Sequence, residues 1–581
     1  MKLGTLWIAL VVLCAWGVAG CGGGHHHVTP ITTKNFVFYA AGTDSADCTY
    51  YIAGVVQISA DGNNTIMGGV QDFNDGDPED CIGTSPQPSG DTINPVGSSL
   101  SFNPDGSGNA LLTLVTSNTA LGPANNPNLP PGTEVFALSF ANPNHALIAE
   151  FDGAATSLGS YDLQTLPTSP FAGTSFSFTA SGFDPNGDAI AEGGVFSLDG
   201  SGNITGTADV NDGGTLTVFD IADVTLGTAT EGTFGRGTIS GSLDGITTTV
   251  NYYIVSPEVI RIINVDATDT AVGSAYGQGA SAGTFTNASI GQSVFSVAGI
   301  PDFIIYNVVG QFTTVPIETD AKPKANLRGV HANGTPVLGS FAGIEDANIS
   351  VEGGPIVSAE PFNGTYNLGT DGRGSFNFTS DVVVFGVYAV DPSLNILDPN
   401  NPLPLPLLNG GALLVELDAD LIGTGLLLPQ ATAPVPVVSN VAPNVVFGAQ
   451  GNFGDGERVG EFELLGAAAM DDGAFSGKGF IDDPTGILTG TVIGDNNSTF
   501  NATFTDDGLG IGRYTSGTGG FVATSPATDE TIPFTVIAYD ANGSQLFWIE
   551  MDTGISWGGP IEASTFTVPV GTKIPATPKN K

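Results

Sequence analysis

Four segments of this chain end an apolar run with acidic side chains at alternate positions. They are Ala146-Leu147-Ile148-Ala149-Glu150-Phe151-Asp152, Ala412-Leu413-Leu414-Val415-Glu416-Leu417-Asp418 and Leu546-Phe547-Trp548-Ile549-Glu550-Met551-Asp552, with Ile260-Arg261-Ile262-Ile263-Asn264-Val265-Asp266 as a copy whose Glu is Asn. Alternate residues of a strand share a face, so each pair brings two carboxylates together. Paired carboxylates can perform acid–base hydrolysis of glycosides. The copy carrying Asn264 lacks one of the two groups, and an enzyme seldom needs its site four times. The expected role is therefore to end strands and cap turns, with a carbohydrate-active or other hydrolase as the alternative.

Other patterns carry weaker chemistry. Asp72-Phe73-Asn74-Asp75-Gly76 and Asp209-Val210-Asn211-Asp212-Gly213 place oxygens closely, as calcium loops do, but lack the later bidentate Glu of an EF-hand. Tight turns are expected there, with Ca²⁺ at Asp72, Asn74, Asp75, Asp209, Asn211 and Asp212 as the sharper reading; no other metal or cofactor is expected. Gly554-Ile555-Ser556-Trp557-Gly558 fits the formula of a hydrolase nucleophile elbow, but no His follows it and no strand-to-helix turn is expected. His145 and His331 show no ligand spacing. Arg236 and Arg373 occupy the same Gly-rich turn in two segments, with Arg513 close to a third, and in so acidic a chain they should pair with carboxylates.

These residues belong to a repeat. Gly and Gln stand seven and twelve residues after Asp152 (Gly159, Gln164), Asp266 (Gly273, Gln278) and Asp418 (Gly425, Gln430). Asp552 is followed by Gly559 and then Ser564 at the same offsets. Each copy follows a Gly-rich turn: Asp105-Gly106-Ser107-Gly108, Phe234-Gly235-Arg236-Gly237, Asp371-Gly372-Arg373-Gly374 and Asp507-Gly508-Leu509-Gly510. Phe-rich segments before Gly42, Gly182 and Gly451 open three of the units.

Alternating segments separated by Asp-Gly-Ser-Gly and similar turns put about eight strands in a unit of about 115 residues. The expected fold is all-β: tandem antiparallel meander barrels, whose closure removes exposed edges, with β-sandwiches as the alternative. The 82 Gly and 37 Pro among 581 residues favour short strands over long helices. The expected units are 34–165, 166–282, 283–430 and 431–570, followed by a polar tail at 571–581. A Pro- and Leu-rich insertion, Asn395 to Leu408, should form an exposed loop able to touch a partner or a neighbouring domain.

The formal charge of −44 comes from 58 acidic and 14 basic residues. Such a field repels phosphate backbones, so nucleic-acid binding is not expected.

At the amino terminus, Met1-Lys2 precedes an apolar run from Leu3 to Trp16 and the small residues Gly17-Val18-Ala19-Gly20 before Cys21. Val18-Ala19-Gly20-Cys21 resembles the lipobox of bacterial lipoproteins. That resemblance implies a signal peptide at 1–20, cleavage before Cys21 and diacylglycerol on its sulfur. Gly22 in place of Asp then implies the outer membrane. More than one acyl chain makes such anchoring stable. Residues 21–33, with Gly22 to Gly24 and His25 to His27, read as a flexible tether.

Of four cysteines, Cys48 and Cys81 remain for the mature domains. In an oxidising envelope they are expected to form a disulfide contributing roughly 3–4 kcal/mol. Lipobox, Phe-x-Phe, Asp-Val-Asn-Asp-Gly, Asp-Gly-Arg-Gly and Leu-Ile-x-Glu-Phe-Asp segments together resemble uncharacterised repeat lipoproteins of acidobacteria, a likeness that implies envelope location and repetition but no activity.

The leading functional reading is a non-enzymatic, lipid-anchored envelope protein of independently folding β units, with a structural, adhesion or ligand-binding role. Its expected partners are the membrane, through the anchor, and a surface glycan or protein. A small-molecule carrier with its ligand inside a barrel is a further alternative, which interiors filled by large side chains would exclude.

Overall fold

Strand alternation is plain in Asn109–Thr116, where residues beyond the first are buried and half-buried in turn. Gly residues at positive φ, such as Gly108 and Gly372, make the turns that join such strands. The computed structural model describes residues 32–567 apart from 45–48, 75–89, 120, 122–129, 154, 168–173, 185, 200, 227–233, 244–245, 266–269, 300–305, 317–337, 350–355, 380–382, 403–409, 420, 433–434, 455–458, 484–492, 527–529 and 553–554. Cys21, Cys48, Asp75, Cys81, His25 to His27 and His331 lie outside the described residues.

The expected barrels are present. Three closed eight-stranded antiparallel barrels follow one another, each sealed by its eighth strand pairing with its first. They run from Thr33–Asp44 to Ala155–Leu163, from Ser175–Phe183 to Thr270–Gly277 and from Ser293–Gly299 to Gly423–Pro429.

The fourth unit departs from the expected eight strands. It starts and ends as the others do, with Ile555–Ala563 pairing to Asn444–Gly454. A hairpin of Phe521–Ser525 and Glu530–Phe534 then adds to Ile493–Thr503, while the short Arg513–Thr515 pairs with Val536–Asp540. Because the hairpin occupies the edge through which closure would occur, the result is an eleven-stranded sheet.

Aromatic side chains fill the units. Phe36, Phe38, Phe136 and Tyr161 pack the first, Phe176 and Phe196 the second, Phe312, Phe341, Phe362 and Phe376 the third, and Phe447, Phe500, Trp548 and Trp557 the fourth. Phe341 touches Phe312, Phe362, Phe376 and Phe378 with ring centroids 5.0–6.0 Å apart. Large aromatic side chains thus occupy the barrel interiors, where the carrier reading would place its ligand.

Expectation and structure part over the independence of the units. Thr33 to Lys581 forms one unit. A shared apolar core draws Val37 and Tyr51 from the first barrel, Tyr253 and Val272 from the second, Val294 and Tyr388 from the third, and Tyr539 and Ile549 from the fourth. Each barrel packs against the next and the fourth packs against the first, through a cluster of Ala137, Leu147, Ala149, Val446, Leu465 and Phe480. The four units therefore form a closed ring. Among the described residues, no helix is long and apolar enough to cross a membrane.

Candidate functional site

The carboxylates and arginines singled out by the sequence meet in the seams between barrels. Asp72, on the third strand of barrel one (Ile66–Asn74), accepts from Arg236 Nε and Nη2 of barrel two at 2.8 Å each. It also accepts from Tyr253 Oη at 2.6 Å and the Gly90 amide at 2.6 Å. Barrels two and three repeat the arrangement with Asp209, Arg373 (Nε to Oδ2, 2.8 Å) and Tyr388 (2.7 Å). Units three and four use Asp346, Arg513 (2.8 and 2.7 Å) and Tyr539 (2.5 Å).

In every case the Arg and Tyr are direct cross-strand partners, so one barrel presents a preassembled fork to its neighbour's carboxylate. Burial alone would lower the arginine pKa, but Asp72 outweighs it and raises that of Arg236. Burial, followed by the Asp72 charge, pushes the Tyr253 phenol well up, so it stays a neutral donor.

Two residues beyond each of these aspartates stands an Asn. Asn74 Nδ2 donates to the Asn264 carbonyl at 2.9 Å. Asn211 Nδ2 donates to the carbonyls of Glu416 (2.9 Å) and Asp418 (2.8 Å), and Asn348 Nδ2 to those of Glu550 (2.8 Å) and Ile555 (2.5 Å). The Glu-x-Asp segments are thus the turns that a preceding barrel grips. Their own carboxylates cap those turns: Glu150 accepts from the Asp152 amide at 3.1 Å, and Asp552 accepts from the Thr535 amide at 2.7 Å.

The repeated Gln is the third link. Gln164 Nε2 reaches the carbonyls of Phe234 (2.7 Å) and Ile254 (2.8 Å), Gln278 that of Asp371 (2.7 Å), and Gln430 those of Ile511 (2.9 Å) and Asp540 (2.8 Å). Each bond runs from the end of one barrel to the Gly-rich turn region of the next. Ser564, which replaces Gln in the fourth copy, donates to the carbonyls of Phe140 (3.2 Å) and Ala141 (3.3 Å) in barrel one. Phe566 stacks on Phe102 and Phe140 beside it, completing the closure.

The closing seam omits the arginine–aspartate pair. By strand register, Phe480 stands where the other units have Asp72, Asp209 and Asp346, while Asn109 and its partner Ser139 stand where they have Arg and Tyr. Phe480 packs on Phe151 with centroids 5.1 Å apart.

At the centre all four units meet around Arg261. Its Nη2 donates to Asp162 Oδ2 (2.8 Å) and Ser160 Oγ (2.8 Å), its Nη1 to Ser274 Oγ (2.8 Å) and Tyr276 Oη (2.9 Å), and its guanidinium lies 4.5 Å from the Tyr39 ring centroid. His145 donates from Nδ1 to Asp162 Oδ1 at 2.7 Å and lies 3.4 Å from Glu562. Burial opposes charge on both His145 and Asp162, but for His145 the Glu562 charge and then Asp162 outweigh it, and for Asp162 the His145 charge does. His145 is thus held well above its ordinary value, and Asp162 is held at about 2 with help from Arg261.

The Asn395 insertion, expected as an exposed loop, enters this centre. Ile396 and Asp398 are buried, Asn395 Oδ1 accepts from Gln545 Nε2 (2.6 Å), and Asp398 Oδ2 accepts from Asn142 Nδ2 (2.7 Å). Residues 403–409 of that insertion lie outside the described residues.

Beside Arg261 lies a cavity of about 310 Å³ lined by all four units. Leu158, Val272, Leu426 and Phe547 supply apolar wall, with Ser160, Arg261 and Glu562 as polar points. The repeated glycines Gly159, Gly273, Gly425 and Gly559 all line it. A Cβ at Gly273 would sit 2.1 Å from the Thr179 carbonyl oxygen, so these strands approach too closely there for a side chain. A second cavity, of about 210 Å³, shares Ala41, Ser181, Ala298 and Thr424 with the first.

The calcium candidates have other uses. Asp72 and Asp209 hold arginines, Asn74 and Asn211 hold neighbouring turns, and Asp212 is exposed. Among the described residues, no three His, Cys, Asp or Glu side chains are grouped to hold a metal ion. Ser556 is buried, accepts from Asn307 Nδ2 (3.0 Å) and donates to the Asn348 carbonyl (3.0 Å), bonds that make it a seam residue. Sequence reasoning passed over Asp346, Asn348, the three tyrosines and the Arg261 centre. A third Asp-x-Asn, and the shared 164-residue separation of Asp72 from Arg236 and of Asp209 from Arg373, were the available signals.

No family model and no curated protein matches the chain. Among solved structures, a mutant of the vaccine antigen transferrin binding protein B from Haemophilus parasuis is similar at 11% identity, covering 74% of this chain and 85% of its own, with a TM-score of 0.18. The isotype 1 transferrin binding protein B from serogroup B Neisseria meningitidis is similar at 10% identity over 73% and 82% (TM-score 0.18). A putative AttH from Nitrosomonas europaea shows 8% identity over 42% and 92% (TM-score 0.16).

Proposed function

We propose that this chain is a non-enzymatic, lipid-anchored binding protein of the cell envelope, whose ring of barrels holds a small, largely apolar molecule in the central cavity. The observation that carries this reading is the cavity wall: apolar side chains from four units, with polar points at Ser160, Arg261 and Glu562 gathered on one side. An apolar pocket with a few convergent polar groups suits a molecule that is apolar with one polar end. The class indicated is an apolar molecule bearing a carbonyl or carboxylate. A folded protein or an extended glycan would have to meet the outer surface instead. The non-enzymatic reading rests on the Glu-x-Asp segments being gripped in seams, where their carboxylates cap turns. Anchoring rests on the Val18-Ala19-Gly20-Cys21 run.

Calorimetric titration of the mature protein with alkanoic acids of six to ten carbons should give one site per chain. Arg261→Lys, which keeps the charge but loses the planar guanidinium beside the cavity, should weaken binding at least tenfold, about 1.4 kcal/mol. Ala298→Trp should abolish it. Absence of binding across the series, or full affinity in both variants, refutes the cavity assignment. For the anchor, incorporation of labelled palmitate should be lost in Cys21→Ser.

A further inference from the structure

The closing seam differs from the other three at one more position. In each unit the residue before the landmark glycine of the first strand (Ala41, Ser181, Ala298 and Gln450) pairs with Tyr51, Ala191, Asn307 and Glu463 on the second. These pair in turn with Asn74, Asn211, Asn348 and Asp482 on the third. Asp482 therefore holds the place from which three asparagines donate to the turn of the next barrel. It is as buried as they are, 1% exposed against 3%, 0% and 0%.

An ionised aspartate cannot donate, whereas a protonated one has the shape of Asn and one O–H where the amide has two N–H. Asn211 and Asn348 use only their NH₂ groups and leave Oδ1 without a partner, so a carboxylic acid gives up no acceptor that they use and keeps one of the two donors. The amides of Gly153 and Asp483 approach the Asp482 carboxyl, but no side-chain cation or side-chain donor among the described residues reaches it.

The surroundings oppose ionisation. The charges of Asp152 and of its strand neighbour Asp483 act on Asp482, and Glu463 stands opposite it on the neighbouring strand. Glu150 adjoins Asp152, Asp482 and Glu463, with Glu134 and Tyr50 behind it. On the other side Gly494 pairs with Asp482, and Asp495 with Ile481. The nearby cation on the same strand, Lys478, is exposed and turned to Asp105 at 3.6 Å.

We propose that Asp482 closes the ring as a neutral carboxylic acid, donating its one O–H to a carbonyl of the Glu150-Phe151-Asp152 turn where asparagine donates at the other seams. The closing seam thereby depends on a proton at the position where the other three use an amide. Burial, then the charges of Asp152 and Asp483, push the Asp482 carboxyl well above the ordinary carboxylate range, against weaker help to the ionised form from the amides of Gly153 and Asp483. A group whose folded value is raised holds more protons folded than unfolded. Its contribution is complete below about pH 4 and is lost as pH rises through the folded value.

The test is hydrogen exchange of segments 150–157 and 480–483 in the full mature chain from pH 5 to 8, corrected for intrinsic rates. Wild-type protection should fall with pH, by up to tenfold per unit for one linked proton. Asp482→Asn should flatten that slope and protect the seam at least as well at pH 8. The reverse exchange, Asn348→Asp, should install the same slope around 550–555 and serves as the test should the first variant misfold. A flat wild-type profile, an unchanged slope in Asp482→Asn, or no new slope in Asn348→Asp overturns the proposal. A wild-type slope that disappears only when Ca²⁺ is added assigns the seam to a cation and overturns it equally.

Discussion

Removing Arg236 separates a ring from a string of barrels. Asp72 is fully buried and Arg236 7% exposed, and their two 2.8 Å bonds cross from barrel one to barrel two. Arg236→Met leaves a buried carboxylate with only Tyr253 and the Gly90 amide, a loss of about 3–5 kcal/mol by analogy with broken buried pairs. The resulting shift in melting temperature depends on how much chain melts with the seam. Unfolding entropy of roughly 2.1 cal/mol/K per residue gives about 0.27 kcal/mol/K for a lone barrel of about 130 residues and about 1.1 for the whole ring. The variant should therefore lower Tm by only about 3–4 °C in a single calorimetric transition, against about 11–18 °C for an independent barrel. The double variant Asp72→Leu, Arg236→Met should recover most of the loss, because an apolar pair does not strand a charge. The closing seam already uses Phe480 at the equivalent position. Two or more resolved transitions, or a double variant as unstable as the single one, would refute the reasoning.

The remaining expectations concern buried ionisable groups and one glycine. Burial, then the nearby Asp418 charge, raises Glu416 to about 8 despite the Tyr306 hydroxyl that it accepts, so it folds protonated. Stability should fall as pH rises from the carboxylate range through about 8, and Glu416→Gln should reduce that fall in thermal melts. His145→Phe leaves Asp162 and Glu562 without the imidazolium and should cost about 3–5 kcal/mol in urea unfolding at pH 7. A loss below about 1 kcal/mol would show that the Arg261 centre tolerates its absence. Gly182→Ala puts a Cβ 1.6 Å from the Thr270 carbonyl oxygen where the first barrel strand meets the eighth, and should destabilise the chain by about 1–3 kcal/mol or more in the same assay.

The all-β class, the approximate strand count and the repeat were legible in the chain because they are local. Period-two alternation and Gly-bearing turns need no knowledge of distant residues, and neither does the fixed spacing from Asp152 to Gly159 and Gln164. Arg236 and Arg373 were also legible as partners for carboxylates, from charge balance alone, and the turn-capping role of Glu150 followed from its place at a strand end. Which carboxylate each arginine meets was not legible, since Asp72 and Arg236 lie 164 residues apart and join only when two closed barrels are laid side by side. The same holds for Gln164, a junction landmark in sequence but a latch onto Phe234 and Ile254 in space. Apparent calcium loops became seams for that reason: an Asp-x-Asn pair looks alike whether its oxygens await a metal or a neighbouring guanidinium. Closure of the ring, its central cavity and the exchange of Asn for Asp482 were decided by packing. A strand's sequence specifies which of its faces is buried, and only the assembled ring specifies what that face is buried against.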